Sequence, residues 1–365
     1  MRPSVTVRNA IVAAAALALA AVPSMASAST TWSVAHPPYT AIDNVPYVPL
    51  NAITAISATN VWTVGQDSGT PQIDHWNGSK WSQSTLPSGP CSVFEADCAF
   101  TGVSADSASD VITIGEGTIP TSSGWVTEAL AYRWNGTAWS QLTVPSSVTY
   151  DEMEHIQAFS PTDAWAVGVG SSATGATVAT ALNWNGSTWS QVATPVSTTN
   201  DLSVNAISGT SASDIWVVGE TVTPGYHNRQ FTSVIMHYNG SSWTQVPAPD
   251  NSGLLDVDAV SPTDAWAIAA DGSVLKWNGT AWTVVTQLAE GNTAIAALSA
   301  TDVWVAGVVS LSHYNGTSWT STSDPAGVNA LTGHAVLSPS DIWFSGYYYP
   351  SNAVTAPAVL STTSG

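Results

Sequence analysis

The chain has 365 residues, 44% of them hydrophobic and only 8% charged, with 6 Lys and Arg against 25 Asp and Glu. A formal net charge of −19 repels a phosphate backbone or an anionic bilayer, which sets aside nucleic acid and membrane insertion. The length allows a large core, and 2 cysteines are too few for a disulfide framework.

Residues 1–28 read as a secretory signal peptide. Arg2 and Arg8 charge the start, residues 10–22 are almost wholly apolar, and Ala26-Ser27-Ala28 is a small-x-small cleavage site. The apolar run is too short to span a bilayer. Residues 29–365 are therefore expected to be one secreted, extracellular domain, and a monomer. After cleavage its basic residues are Lys80, Arg133, Arg229 and Lys276.

The first piece after the cleavage site, Thr31 to Pro37 (TWSVAHP), reads as a strand. It matches a later one, TWSQVATP at 188–195. Between them a pattern starts that recurs seven times: a short strand ending in Ser, a turn ending in Asp or Asn, then apolar, Trp, two residues and Gly. It reads SATNVWTVG at 57–65, SADSASDVITIG at 104–115, SPTDAWAVG at 160–168 and SGTSASDIWVVG at 208–219. It continues as SPTDAWAIA at 261–269, SATDVWVAG at 299–307 and SPSDIWFSG at 338–346. In six units an aromatic-Asn-Gly-x-x-Trp follows, at 76–81, 134–139, 184–189, 238–243, 277–282 and 314–319.

Asn-Gly between apolar strands predicts a tight hairpin with φ > 0 at both turn positions. Each unit then holds four strands, and a repeat of about 40–50 residues is the mark of propeller blades. The seventh unit lacks its fourth strand, which the segment at 31–37 supplies. The fold predicted is an all-β, seven-bladed β-propeller whose ring is closed by the N-terminal strand completing the last blade.

Of 18 tryptophans only Trp125 falls outside the repeat slots, so the others are expected to pack between blades. The repeated Asp is expected to brace its turn. Asn-Gly turn chemistry also accounts for the Asn-Gly-Ser/Thr sequences, with no need of glycosylation. Cys91 and Cys98, exported to an oxidising compartment, are expected to staple one short loop.

The stretch AWAIAADGSVLKWNGTAW (265–282) is similar to a tectonin unit, and aromatic, turn, Trp and then Leu/Val-x-x-Pro resembles the end of a kelch repeat. The expected Gly-Gly doublet of kelch is here a single Gly, and Ala269 in the fifth unit. The resemblance implies a binding module, lectins included; some kelch-like propellers carry oxidase chemistry.

Loop length varies on the face holding the second-to-third strand connections, at 115–128, 168–180, 219–233 and 346–357. Binding is expected there or at the central mouth. Counting back three and five residues from the terminal Ser, taken as Ser208 in the fourth unit, three adjacent units break the repeat. They place His155 with Gln157, Ser203 with Asn205, and Asp256 with Asp258 near the axis. Two readings stand: these groups bind a ligand, or they hydrate the channel and tie blades together.

Trp125, Tyr226, His227 and Arg229 come from loops around the same mouth. Aromatic rings with amides and carboxylates suit neutral sugars. A glycan or an extracellular protein is therefore the expected partner, in a lectin-like or docking module. No cofactor is implied, although Asp256 and Asp258 are oxygen donors of the kind Ca²⁺ takes. A secreted hydrolase or lyase using Asp256, Asp258, Glu154 and His155 is the alternative.

Overall fold

The computed structural model describes residues 31–38, 49–92, 95–145, 152–223, 229–308, 310–323, 328–351 and 354–363. Strand β1 (Thr31–Ala35) comes first in the chain and last in the blade order. The first blade is β2 (Leu50–Ser57), β3 (Asn60–Asp67), β4 (Thr70–Trp76) and β5 (Trp81–Gln83). The second is β6 (Asp97–Ser107), β7 (Asp110–Thr121), β8 (Gly124–Trp134) and β9 (Trp139–Gln141). The third is β10 (Glu152–Ser160), β11 (Asp163–Ser171), β12 (Thr177–Trp184) and β13 (Trp189–Val192), with the short β14 (Ser197–Thr198) added to β12.

The fourth blade is β15 (Asp201–Ser211), β16 (Asp214–Thr223), β17 (Gln230–Tyr238) and β18 (Trp243–Gln245). The fifth is β19 (Leu254–Ser261), β20 (Asp264–Ala269), β21 (Ser273–Trp277) and β22 (Trp282–Gln287). The sixth is β23 (Asn292–Ser299), β24 (Asp302–Gly307), β25 (Ser310–Tyr314) and β26 (Trp319–Ser323). The seventh is β27 (Ala330–Ser338), β28 (Asp341–Ser351) and β29 (Val354–Thr363), and β1 pairs antiparallel along β29 with Trp32 opposite Thr362. This is the all-β, seven-bladed propeller that the repeat predicts.

Each inner strand carries a register shift near its start, as between Leu50 and Ala52 in β2 or Leu254 and Asp256 in β19. The side chain at the shift reaches the next blade. Asn51 donates to the Phe100 carbonyl, Thr101 to Met153, Asn205 to Leu254, Thr293 to Leu331 and Thr332 to Leu50. These bonds tie neighbouring inner strands around the axis, the seventh to the first included. The repeat Gly sits opposite the shift because a Cβ at Gly65 or Gly219 would run into the Pro49 or Ser203 carbonyl.

The tryptophans of the second strand and of the fourth-strand start pack between blades. Trp216 is fully buried against Trp277 and Trp282 of the next blade, at ring separations of 4.8 and 5.2 Å. Trp62 meets Trp134 and Trp139 in the same way.

Two expectations are corrected. The repeated Asp does not brace its turn; the Ser before it does, as Ser57 Oγ accepts from the Thr59 N–H. In most blades the Asp instead accepts from a third-strand side chain, while Asp341 accepts from Trp343 Nε1 of its own strand and Asp214 also takes Thr210 Oγ1. Arg133 meets Asp110, His237 meets Asp214, Lys276 meets Asp264 and His313 meets Asp302. Three of those partners also lie on the second-strand Trp, with His237 stacked on Trp216 at 4.2 Å, His313 on Trp304 at 4.1 Å and the Lys276 ammonium 4.3 Å from the Trp266 ring, while Arg133 lies over Trp184 of the next blade.

Nor is Asn-Gly a two-residue turn with φ > 0 twice. Trp76 pairs with Trp81 across a four-residue loop in which only Gly78 has positive φ, at 91°. Asn77 Oδ1 accepts from the Ser79 and Lys80 N–H groups and from Ser79 Oγ. That third bond explains why Ser or Thr follows Asn-Gly each time.

Candidate functional site

The inner strands surround an axial cavity of about 680 Å³. Thr54, His155, Gln157, Asn205, Asp256 and His334 are among its lining residues. The groups expected from the repeat do gather here, with two changes.

The first change concerns register. The inner strands of the second and fourth blades end at Ser107 and Ser211, which pair with Asp110 and Asp214. Counting from Ser208 was therefore three residues short. The fourth-blade equivalents of Asp256 and Asp258 are Ala206 and Ser208. Asn205 lines the cavity but its amide is spent on the Leu254 carbonyl, at 2.8 Å.

The second change is His334, which the counting missed. It lies four residues before Ser338, where the other blades carry Ile53, Val103, Ile156, Ile207, Val257 and Ile295. Across the sixth inner strand, His334 Nδ1 is 3.0 Å from Asp256 Oδ2 and Nε2 is 3.6 Å from Asp258 Oδ2. The residues of β23 turned toward the seventh blade are Ala294 and Ala296, whose small side chains leave room for the imidazole.

The two carboxylates are already engaged. Asp256 accepts from the N–H groups of Val257 and Ile295, each at 2.8 Å. Asp258 accepts from the Ala297 N–H at 2.8 Å and from Ser208 Oγ at 3.1 Å. Burial alone would lower the His334 pKa, but the charges and hydrogen bonds of Asp256 and Asp258 push it up to about 10. His155 goes the other way, to about 4, because burial outweighs its attraction to Asp256 and its bond to the Val204 backbone. At neutral pH His334 is thus an imidazolium and His155 a neutral imidazole.

This arrangement ties the fourth to seventh blades together. A Ca²⁺ ion here would have to displace the His334 contacts, and no group of three or more His, Cys, Asp or Glu suited to a metal occurs among the described residues. General-base work by either Asp would compete with the same internal donors.

The loop residues are scattered. Trp125 stands 58% exposed near the tip of the β7–β8 hairpin. Arg229 is exposed just before β17. Tyr226 and His227 lie outside the described residues. Cys91 and Cys98 form a disulfide beside β7, with Cys98 buried against Phe100 and Leu130.

A different grouping stands out on the face of the second-to-third strand connections. Among the described residues, Trp125, Val126, Phe231, Val308 and Tyr349 all lie in or next to those connections and are at least 40% exposed. The sequence marks Trp125 among them as the tryptophan outside the repeat slots, and Tyr349 as part of the Tyr347–Tyr349 run. Phe231 and Tyr349 lie in strands β17 and β28, and Val308 just past the end of β24.

Among solved structures, the chain is similar to "YCF48 bound to D1 peptide", with TM-score 0.60, 16% identity, and 92% and 97% of the two chains covered. It is similar to "YCF48 from Cyanidioschyzon merolae", with TM-score 0.58, 14% identity and coverage of 91% and 98%. It is also similar to the "WD40 beta propeller domain of Doa1", with TM-score 0.60, 11% identity and coverage of 92% and 98%. At these identities the likeness is one of fold alone, a β-propeller. No family model matches the sequence, and no curated relative does. The kelch and tectonin resemblance thus finds no support beyond the propeller itself. Among the described residues no helix is long and apolar enough to cross a membrane.

Proposed function

We propose that this chain is an exported docking propeller that binds a protein partner on the face of the second-to-third strand connections. The observation that carries this reading is the set of exposed apolar side chains there: Trp125, Val126, Phe231, Val308 and Tyr349. Rings and branched side chains left in water at the rim of a rigid scaffold are the usual anchors of an interface. The acidic chain favours a basic partner. The disulfide and the signal-like residues 1–28 support export. One solved propeller of the same fold is described as bound to a peptide, which supports a docking role without assigning this chain the same partner.

A neutral glycan stacked on Trp125 is the second reading, favoured by the 58% exposure of that indole. The hydrolase or lyase reading is weaker, since both axial carboxylates already accept internal hydrogen bonds.

The test is retention of partners from a culture supernatant by the immobilised mature chain, beside a glycan array. The docking reading expects one protein to be held by wild type and lost with Phe231→Ser plus Tyr349→Ser. Retention unchanged in that variant, or binding of glycans alone, overturns it.

A further inference from the structure

The outer edges of the third strands are covered unequally. In the fifth and sixth blades the fourth strand runs along the whole third strand, from Trp277–Trp282 to Ser273–Gln287 and from Tyr314–Trp319 to Ser310–Ser323. In the third blade β13 covers only Ala181–Trp184, and the chain returns as β14 to pair with Thr177 and Val178. The second blade has no such return among the described residues. There β9 covers Tyr132–Trp134, and Leu142 N donates to the Ala131 carbonyl. Beyond that point residues 124–130 have no outer partner among the described residues.

The edge is well formed. On its inner side β8 pairs with β7 without a register shift, out to Gly124 opposite Thr121. Thr121 Oγ1 donates to the Gly124 carbonyl at 2.7 Å and pins the tip. In an antiparallel ladder alternate residues turn both backbone groups to the same edge. Ala131 faces outward, since its carbonyl takes Leu142, so Trp125, Thr127 and Ala129 do too. Seven residues span roughly 23 Å, enough for a short added strand.

Exposed edges are commonly guarded by Lys, Pro or a bulge. The stretch GWVTEAL has none of these, and its only charge is the exposed Glu128. Trp125 and Val126 are 58% and 40% exposed on its two faces.

We propose that the outer edge of β8 accepts an extended strand of a partner protein, one alternating apolar and basic side chains, by β-sheet addition. Main-chain bonds to Trp125, Thr127 and Ala129 supply the pairing, Trp125 grips the apolar side chains on one face, and on the other face Glu128 selects a basic residue whose methylene stem lies along Val126. The excess of 25 acidic over 6 basic residues selects against a second copy and for a basic segment. This inference rests on the docking reading and gives it a binding mode.

The probe is a synthetic eight-residue peptide alternating Lys and Val, offered to the mature chain. Its controls are the same peptide N-methylated at alternate amides and a version with Glu for Lys. Amide hydrogen exchange at Trp125, Thr127 and Ala129 is expected to slow at least tenfold with the first peptide and with neither control. Glu128→Lys is expected to weaken binding roughly threefold. No slowing at these amides, or equal slowing by the Glu peptide, overturns the proposal.

Thr127→Pro removes one outward N–H without touching the inner ladder, and circular dichroism checks that the fold survives. If the captured partner survives Thr127→Pro but is lost with Phe231→Ser plus Tyr349→Ser, docking stands and the edge proposal fails. If the edge is filled by a second copy, sedimentation shows a dimer that Thr127→Pro dissolves, and the proposal fails as well.

Discussion

Replacing His334 with Gln should change how stability depends on pH, with a sign that the axial cluster dictates. In the folded chain His334 holds its proton until about pH 10, against 6.5 for a free imidazole. The folded state therefore binds more protons than the unfolded one between those values. The stabilisation is complete below about pH 6.5 and is lost as pH rises through about 10. At 1.36 kcal/mol per pH unit of difference, it amounts to at most about 4 kcal/mol at pH 7. Gln keeps a donor for Asp256 but carries no charge. Urea unfolding of wild type and variant, run from pH 6 to pH 10.5, should show the wild type more stable at pH 6.5. The gap should close steadily toward pH 10. Taking the difference between the two proteins removes the tyrosines and lysines that titrate near the top of that range. Parallel curves would refute the pairing, as would an imidazole proton resonance of His334 that titrates near pH 6.5.

Asp74 tests the opposite kind of burial. It is inaccessible to solvent, burial raises its pKa to about 7, and Asp67 adds repulsion against the bond from Gln72. Ionising it costs stability above pH 4, so Asp74→Asn should stabilise the chain by about 2–4 kcal/mol at pH 8 and by nothing near pH 3.5, read by urea unfolding. Trp216→Ala removes a fully buried ring that meets Trp277 and Trp282, and should cost about 3–5 kcal/mol in the same assay. Reduction of Cys91–Cys98 opens a loop with a sequence separation of 7 and should cost about 2 kcal/mol while the far-ultraviolet spectrum of the propeller is retained.

The blades were legible because each repeats the same physical solution. A strand that ends in Ser, a Trp between sheets and a capped Asn-Gly loop must recur when the same blade must pack against the next. What was misread came from treating that repetition too simply. The repeated Asp and the basic residue near the end of the third strand lie about 10–25 positions apart in sequence, yet they meet through Arg133–Asp110, His237–Asp214, Lys276–Asp264 and His313–Asp302. Counting from Ser208 rather than Ser211 misplaced the fourth blade, because Ser208, inside β15 and opposite Trp216, fits the same motif. The hairpin turn was mistyped because Asn-Gly alone cannot say whether the Asn side chain or the backbone closes the loop.

His334 shows how the axial site was within reach of the sequence. Six blades place Ile or Val four residues before the terminal Ser, and one places His. A branched apolar slot filled once by an imidazole demands a compensating charge, since burying an ionisable ring alone is unfavourable. Asp256 and Asp258 were the visible half of that compensation. Their spacing put both on one side of a strand, but nothing local to β19 said that the partner comes from two blades away. That contact depends on the ring bringing β27 beside β23, and on Ala294 and Ala296 leaving room between them. The cluster that most resembled a ligand site is therefore held by its own groups. The most exposed rings, Trp125, Phe231 and Tyr349, lie instead in or beside the hairpins of the second-to-third strand connections.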